Sequence, residues 1–345
     1  MKFVDLNREF EYFKIDIKYR WNEIQNESKY FFGKQTEELE YHFPRIIGKQ
    51  YCVTVKNGTD ALFLALKRVY KKGMPIILPN FTAYPTAVAC RNITDNLWYV
   101  DVDESLTIDV NKLPDIKNGI IVPVNLFGNN CKIVAIEDYA RVNNHIIIED
   151  CAQSTGSGSG RYCDYSIFSF YPTKPLASMG DGGAICFDNI EDVQYFKNAK
   201  FYGQDNGQVV QYGINSRIDE FQAAVINSKL ETFKTFNSIR MNTAREYKKA
   251  IKGIRVNLNC IYHQFPVLFK DRDKIIKELK LREIPYMIHY ENHVNEIDIL
   301  KGKNLSKVRY RVNDKIVSLP IHPFLDNYEM RKVRSFLYEH RSEET

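Results

Sequence analysis

Between Tyr51 and Phe187 the chain alternates short apolar, β-rich runs with amphipathic stretches, and this alternation limits what it can fold into. YCVTV (Tyr51–Val55) runs into NGTDALFLALKRVY, where Leu62, Leu66 and Val69 recur at helical spacing. PIILPN (Pro75–Asn80) leads to a helix-like TAVAC. LWYVDVD, GIIVPVN and HIIIEDC (His145–Cys151) follow, and DYSIFSF (Asp164–Phe170) and AICF (Ala184–Phe187) close the series. Buried strands separated by helices predict an α/β fold with a mostly parallel central sheet flanked by helices. Ligands of such sheets sit outside the carboxyl ends of the strands. Asn57, Asn80, Asn125 and Asp150 stand at those ends.

After about Ser216 the pattern changes. Arg217–Tyr247 reads as long helices. IYHQFPVLF, a charged helix through Lys280, IPYMIHYEN and VSLPIHP then read as a smaller C-terminal α+β domain. No Gly/Ser- or Pro-rich linker marks the joint. The expected division is a large domain over 1–225 and a small one over 226–345.

Composition narrows function by exclusion. The 345 residues carry a net charge of +5, spread without a block of like charges, which disfavours a nucleic-acid partner. The seven cysteines are odd in number and form no C-x-x-C pair, so neither a disulfide framework nor a metal site is expected. The start, MKFVDLNREF, lacks the apolar core of a signal peptide, and no apolar stretch is long enough to span a membrane. The expected home is the cytoplasm.

FSFYPTKPLASMGDGGAI (Phe168–Ile185) holds a single lysine, Lys174. An isolated Lys would simply pack its stem on Phe170 and Tyr171 and put its head in water. Here Ser169 lies five residues before it and GDGG six to nine after. Asp150 ends an apolar run. It suits either a helix cap or a counter-ion for a protonated ring nitrogen. Asn57–Gly58–Thr59 ends a strand and opens a helix, where backbone N–H groups favour a phosphate and Gly lets it approach. The segment is no G-x-G-x-x-G, which disfavours a dinucleotide. One ligand answers to a phosphate near Gly58, Thr59 and Ser169, a ring nitrogen at Asp150 and a carbonyl at Lys174. That ligand is pyridoxal 5′-phosphate.

With these residues in hand, nearly the whole chain resembles the DegT-type sugar aminotransferases, in the fold type I group of pyridoxal-phosphate enzymes. The matches come in order: FVDL (Phe3–Leu6), NGTDAL (Asn57–Leu62), PVNLFG (Pro123–Gly128, with Asn125 in place of the usual His) and EDCAQ (Glu149–Gln153). SFYPTK (Ser169–Lys174), NSRIDEFQAA (Asn215–Ala224), His289–Tyr290 and VSLP complete them.

The resemblance implies roles. Lys174 forms the Schiff base with the cofactor and moves the proton between cofactor and substrate. Asp150 pairs with the pyridine nitrogen, and Gln153 approaches the ring hydroxyl. Gly58, Thr59 and Ser169 hold the phosphate. Asn215 reaches the phosphate of the neighbouring subunit, which implies a homodimer with active sites at its interface. His289 and Tyr290 face the substrate. Arg217 is ranked as a structural partner of Asp219 or Glu220. The family's ring-stacking aromatic falls on Ala83 by strict spacing, so Tyr84 is taken for that role, with Phe81 as the other candidate. The late H-Y-P-x-P-x-H appears as HYENHVN without prolines, and His293 is a candidate for its second His.

The implied reaction moves an amino group from L-glutamate to a nucleotide-linked 4-keto-6-deoxyhexose, with dTDP the expected nucleotide. It runs in ping-pong order and makes an amino-dideoxy sugar for glycan biosynthesis. The GDGG segment and the V-D-L start also resemble members that act on 3-keto sugars. A non-catalytic relative is disfavoured because Lys174, Asp150 and Ser169 are all present. A dehydratase of the same fold is disfavoured because no His replaces the Lys and no cysteines cluster.

Overall fold

The computed structural model describes residues 1–251, 260–305 and 312–343. Two helices that the sequence reading did not identify come first, α1 (Leu6–Glu27) and α2 (Lys34–Ile47). The expected alternation follows: β1 (Tyr51–Val55), α3 (Gly58–Val69), β2 (Ile76–Pro79), α4 (Tyr84–Arg91), β3 (Leu97–Val100), β4 (Ile120–Ile121), α5 (Ile133–Asn143), β5 (Ile146–Asp150), β6 (Tyr165–Ser169), β7 (Gly183–Phe187) and α6 (Glu191–Ala199). A two-residue hairpin, β8 (Gln204–Asp205) and β9 (Gln208–Val209), precedes α7 (Glu220–Lys229) and α8 (Phe233–Lys248). The chain ends with β10 (Phe265–Leu268), α9 (Arg272–Leu281), β11 (Lys303–Asn304), β12 (Ile316–Leu319) and α10 (Asn327–Glu339).

The main sheet has eight strands in the order β1-β7-β6-β5-β4-β2-β3-β11. All its pairs are parallel except those of β7, which runs against both β1 and β6. The strands from β1 to β7 are buried along most of their length because helices cover both faces. Val53, Val55, Ile167 and Ile185 face Leu62 and Leu66 of α3. The alternate residues Cys52, Phe168, Ala184 and Cys186 face Leu39 and Phe43 of α2 and Ala223 and Ile226 of α7.

A second core gathers Ala244, Tyr247, Phe265, Val267, Ile275, Leu279, Val317 and Phe336 around the β10–β12 pair. The segment IPYMIHYEN joins β12 through an isolated bridge from Met287 to Ser318. The division expected after residue 225 falls inside α7. We propose that it lies within α8, whose Phe233 joins the sheet core while Ala244 and Tyr247 join the second core. The C-terminal part also returns to the sheet, for β11 adds an edge beside β3.

Among the described residues no helix is long and apolar enough to cross a membrane, and no cluster of three or more His, Cys, Asp or Glu is placed to hold a metal. All seven cysteines are free and buried.

Candidate active site

The carboxyl ends of β1, β2, β5 and β6 open onto one cavity of about 580 Å³, within the usual size of a ligand cleft. At the end of β1, Asn57 caps α3 by accepting a hydrogen bond from the Asp60 N–H (2.8 Å). Gly58 and Thr59 then form the first turn of α3 and line the cavity. N–H groups of a first turn have no intrahelical acceptor, so this edge of the cavity suits an anion.

Glycine is required at 183 for this arrangement. In β7 it lies opposite both Val55 and Ser169. A Cβ there would stand 2.4 Å from the Asn57 carbonyl carbon and 2.7 Å from the Gly58 nitrogen. The glycine-rich exit after Lys174 therefore makes room for the start of α3. Gly58 is itself tight, since a Cβ on it would meet the Ser169 Cβ at 3.0 Å.

Asp150, at the end of β5, is 7% exposed. Burial pushes its carboxyl pKa up. The Thr86 hydroxyl, which donates at 2.7 Å, the Ala152 N–H at 3.0 Å and the positive charge of Lys174 act against that rise. Lys174 sits in the turn after β6, its N–H donated to the Tyr171 carbonyl (2.8 Å). Burial lowers its ammonium to about 8, with Asp150 opposing. An amine of this kind is substantially neutral at mildly alkaline pH and can act as nucleophile and base.

Gln153 is buried. It accepts from the Phe127 N–H (2.7 Å) and donates to the Tyr290 hydroxyl (3.1 Å). His289 lines the cavity together with Tyr290. Burial, then the charge of Lys174, lowers the His289 imidazole to about 4.

Gly58, Thr59, Asp150, Gln153, Ser169, Lys174, His289 and Tyr290 thus meet in one cavity. Other expected residues do not. Tyr84 is absent from the wall, because its ring packs against that of Tyr290, with centroids 5.5 Å apart. Phe81 is buried against His293, and the residues of this segment that line the cavity are Ala83, Pro85 and Thr86. His293 does not line it. Asn125 points away, donating to Glu149 (2.7 Å) and accepting from the Cys131 N–H (2.8 Å). A neutral amide thereby supports a fully buried carboxyl group whose pKa burial raises.

Asn215 is exposed and outside the cavity of its own chain. Arg217 does not pair with Asp219 or Glu220. Asp219 caps α7 through the Gln222 N–H (3.0 Å), and Glu220 accepts from the Gly33 and Gln35 N–H groups (2.9 and 2.7 Å). The Arg217 guanidinium instead lies 4.1 Å from the ring centre of Phe31 and 5.1 Å from that of Phe201, a cation–π arrangement.

The sequence reading also missed wall residues. Phe3, Val4, His263, Gln264 and Met287 line the cavity from segments far apart in sequence, and Thr86 joins them from α4. Only Thr86 carried a usable signal, as a hydroxyl in the first turn of a helix leaving the carboxyl edge.

Comparison with known proteins agrees with this geometry. Residues 13–337 match the DegT/DnrJ/EryC1/StrS aminotransferase family. A Pseudomonas aeruginosa UDP-2-acetamido-2-deoxy-3-oxo-D-glucuronate aminotransferase is 30% identical, over 96% of this chain and 98% of its own. A dTDP-3-amino-3,4,6-trideoxy-alpha-D-glucose transaminase of Micromonospora megalomicea is 28% identical over 92% of each chain. A crystal structure of a DegT DnrJ EryC1 StrS aminotransferase from Brucella abortus superposes with a TM-score of 0.93, at 27% identity and 99% coverage of both chains. The chain belongs to the DegT/DnrJ/EryC1/StrS family of pyridoxal-phosphate-dependent aminotransferases.

Proposed function

We propose that the protein transfers the amino group of L-glutamate to the keto carbon of a 6-deoxyhexose linked to a pyrimidine nucleoside diphosphate. The observation that carries this reading is the amine of Lys174, lowered to about 8, in the same cavity as buried Asp150 and the open first turn of α3. The residues fit pyridoxal phosphate. The α3 N–H groups and the Ser169 hydroxyl answer its phosphate, and a Cβ at Gly58 would crowd the Ser169 Cβ at 3.0 Å. Asp150 answers a protonated ring nitrogen, and the Gln153 amide, next to Tyr290, answers the ring hydroxyl. When bound, the cofactor supplies a carbonyl for covalent pairing with amines and a ring that accepts the electron pair left by the departing proton.

The protein's own tasks follow. Asp150 holds positive charge at the ring. Thr86 and the Ala152 N–H fix that carboxylate in place. Lys174 takes the proton from the glutamate Cα and returns a proton to the sugar carbon.

The names of both curated relatives place the nitrogen or the oxo group at C-3. This supports a 3-keto sugar over the 4-keto sugar first expected. A 6-deoxy sugar is supported by Phe3, Val4 and Met287 in the wall, where Lys174 is the one Lys or Arg among the described residues. Incubation with L-glutamate and the 3-keto-6-deoxy nucleotide sugar should release 2-oxoglutarate, and NMR of the product should place the amine at C-3. Turnover of the 4-keto isomer alone would reverse the position. No 2-oxoglutarate with either sugar would overturn the reading.

Assembly as a homodimer is part of the proposal. Asn215 is exposed, yet the adjacent Ser216 donates to the Asp60 carboxylate (2.7 Å) in the first turn of α3. Exposed Phe31, Phe32 and Tyr202 lie around it. An apolar face beside the phosphate end suits a two-fold contact in which Asn215 completes the partner's site. Mixing Asn215→Ala with Lys174→Ala should give hybrid dimers with one intact site, and activity should exceed that of either parent. Demonstrated subunit exchange without recovered activity would remove Asn215 from that role.

A further inference from the structure

His263 stands just before β10, and a close backbone contact carries it to the cavity. The Ile261 N–H donates to the Gly128 carbonyl (3.3 Å), and a Cβ on Gly128 would lie 3.1 Å from the backbone nitrogens of Tyr262 and His263. Gly128, at φ 92°, therefore lets this segment press on the loop whose Phe127 N–H holds Gln153. The His263 side chain is 6% exposed and lines the cavity. Its ring nitrogens make no hydrogen bond among the described residues, and neither is sealed in the interior. Burial, then the charges of Lys174, Arg240 and His289, push its imidazolium well below the usual range. The ring is neutral and offers one N–H and one bare nitrogen. A polar group this buried is rarely left without a partner in a native structure.

The rest of the wall narrows what that partner is. Its charged side chains, among the described residues, are Asp150, Lys174 and Asp181. In the function proposed above, the cofactor engages Lys174 and Asp150, and the charge left over is the negative Asp181. His289 has both ring nitrogens engaged, Nε2 at 3.0 Å from Gln264 Nε2 and Nδ1 at 2.9 Å from the Ser318 hydroxyl. The Gln153 amide is held by Phe127 and Tyr290. A sugar hydroxyl can donate or accept, so many neutral groups of the wall can serve it. A carboxylate only accepts, and an N–H bond to it is charge-assisted. Resting on the proposed use of L-glutamate, we propose that His263 binds a carboxylate of the amino donor. His263 is then a substrate-binding residue of the first half-reaction.

The two half-reactions are separated by kcat/KM for L-glutamate and kcat/KM for the 3-keto-6-deoxy nucleotide sugar. His263→Phe keeps a ring of similar shape and removes both nitrogens. It should lower kcat/KM for L-glutamate by roughly ten- to hundredfold, the loss of a hydrogen bond to a charged group. The value for the sugar should stay within about twofold. His263→Gln restores an N–H donor and should recover most of the loss on L-glutamate. His263→Leu replaces the Phe variant if that protein is not recovered folded and able to bind pyridoxal phosphate. An unchanged value for L-glutamate, a loss confined to the sugar, or an equal loss on both overturns this inference alone. A natural chain that releases no 2-oxoglutarate from L-glutamate overturns the functional reading and this inference with it.

Discussion

Lys174→Ala is expected to lower amino transfer by on the order of 10⁴-fold, the upper range for a positioned general acid–base group. The alanine protein should still bind pyridoxal phosphate, because Asp150, Ser169 and the first turn of α3 remain in the wall. Equilibrium dialysis checks the binding, and 2-oxoglutarate release checks the rate. The lysine's titration gives a second signature. Its folded-state pKa of about 8 lies below the ordinary 10.5, so the neutral amine forms as pH rises through about 8. Colour development on mixing cofactor-free protein with pyridoxal phosphate should rise about tenfold per pH unit below that point and level off above it. A rate independent of pH between 6 and 9 would remove Lys174 from this step.

Asp150→Asn is expected to cost on the order of 10³-fold in turnover while leaving thermal stability close to that of the natural chain. The amide oxygen can still accept from the Ala152 N–H and the amide NH2 can donate to the Thr86 hydroxyl, the two groups that meet the carboxylate oxygens at 3.0 and 2.7 Å. It cannot carry the charge that keeps a ring nitrogen protonated. Exchange of the glutamate α-hydrogen with solvent should slow by the same factor, since that step depends most on the ring's electron demand. Near-normal turnover would reduce Asp150 to a local cap.

The sheet was legible in the sequence because its strands are covered on both faces and read as continuous apolar runs. The direction of β7 was not, since GAICF has the same pattern whichever way it runs. Two features hid α1. Only Phe13, Ile17 and Ile24 of its 22 residues are buried, and exposed Leu6, Tyr12, Ile15 and Tyr19 blur the apolar stripe. The site was legible where chemistry and chain order coincide, as in Gly58–Thr59, Asp150–Gln153 and Ser169–Lys174. Phe3, His263 and Gln264 were not, because tertiary packing alone brings the first residues of the chain and the start of β10 to the same wall. Tyr84 and Arg217 show the opposite failure. The family resemblance suggested a stacking ring at Tyr84, although strict spacing gave Ala83, and an ion pair was expected at Arg217; their side chains pack on Tyr290 and Phe31.

Borohydride reduction of the cofactor-loaded protein, followed by peptide mass spectrometry, tests the central claim most directly. The account predicts a reduced pyridoxyl group on the peptide carrying Lys174 and on no other lysine peptide. A stable adduct on a different lysine, or none on a protein shown to be loaded, would contradict it.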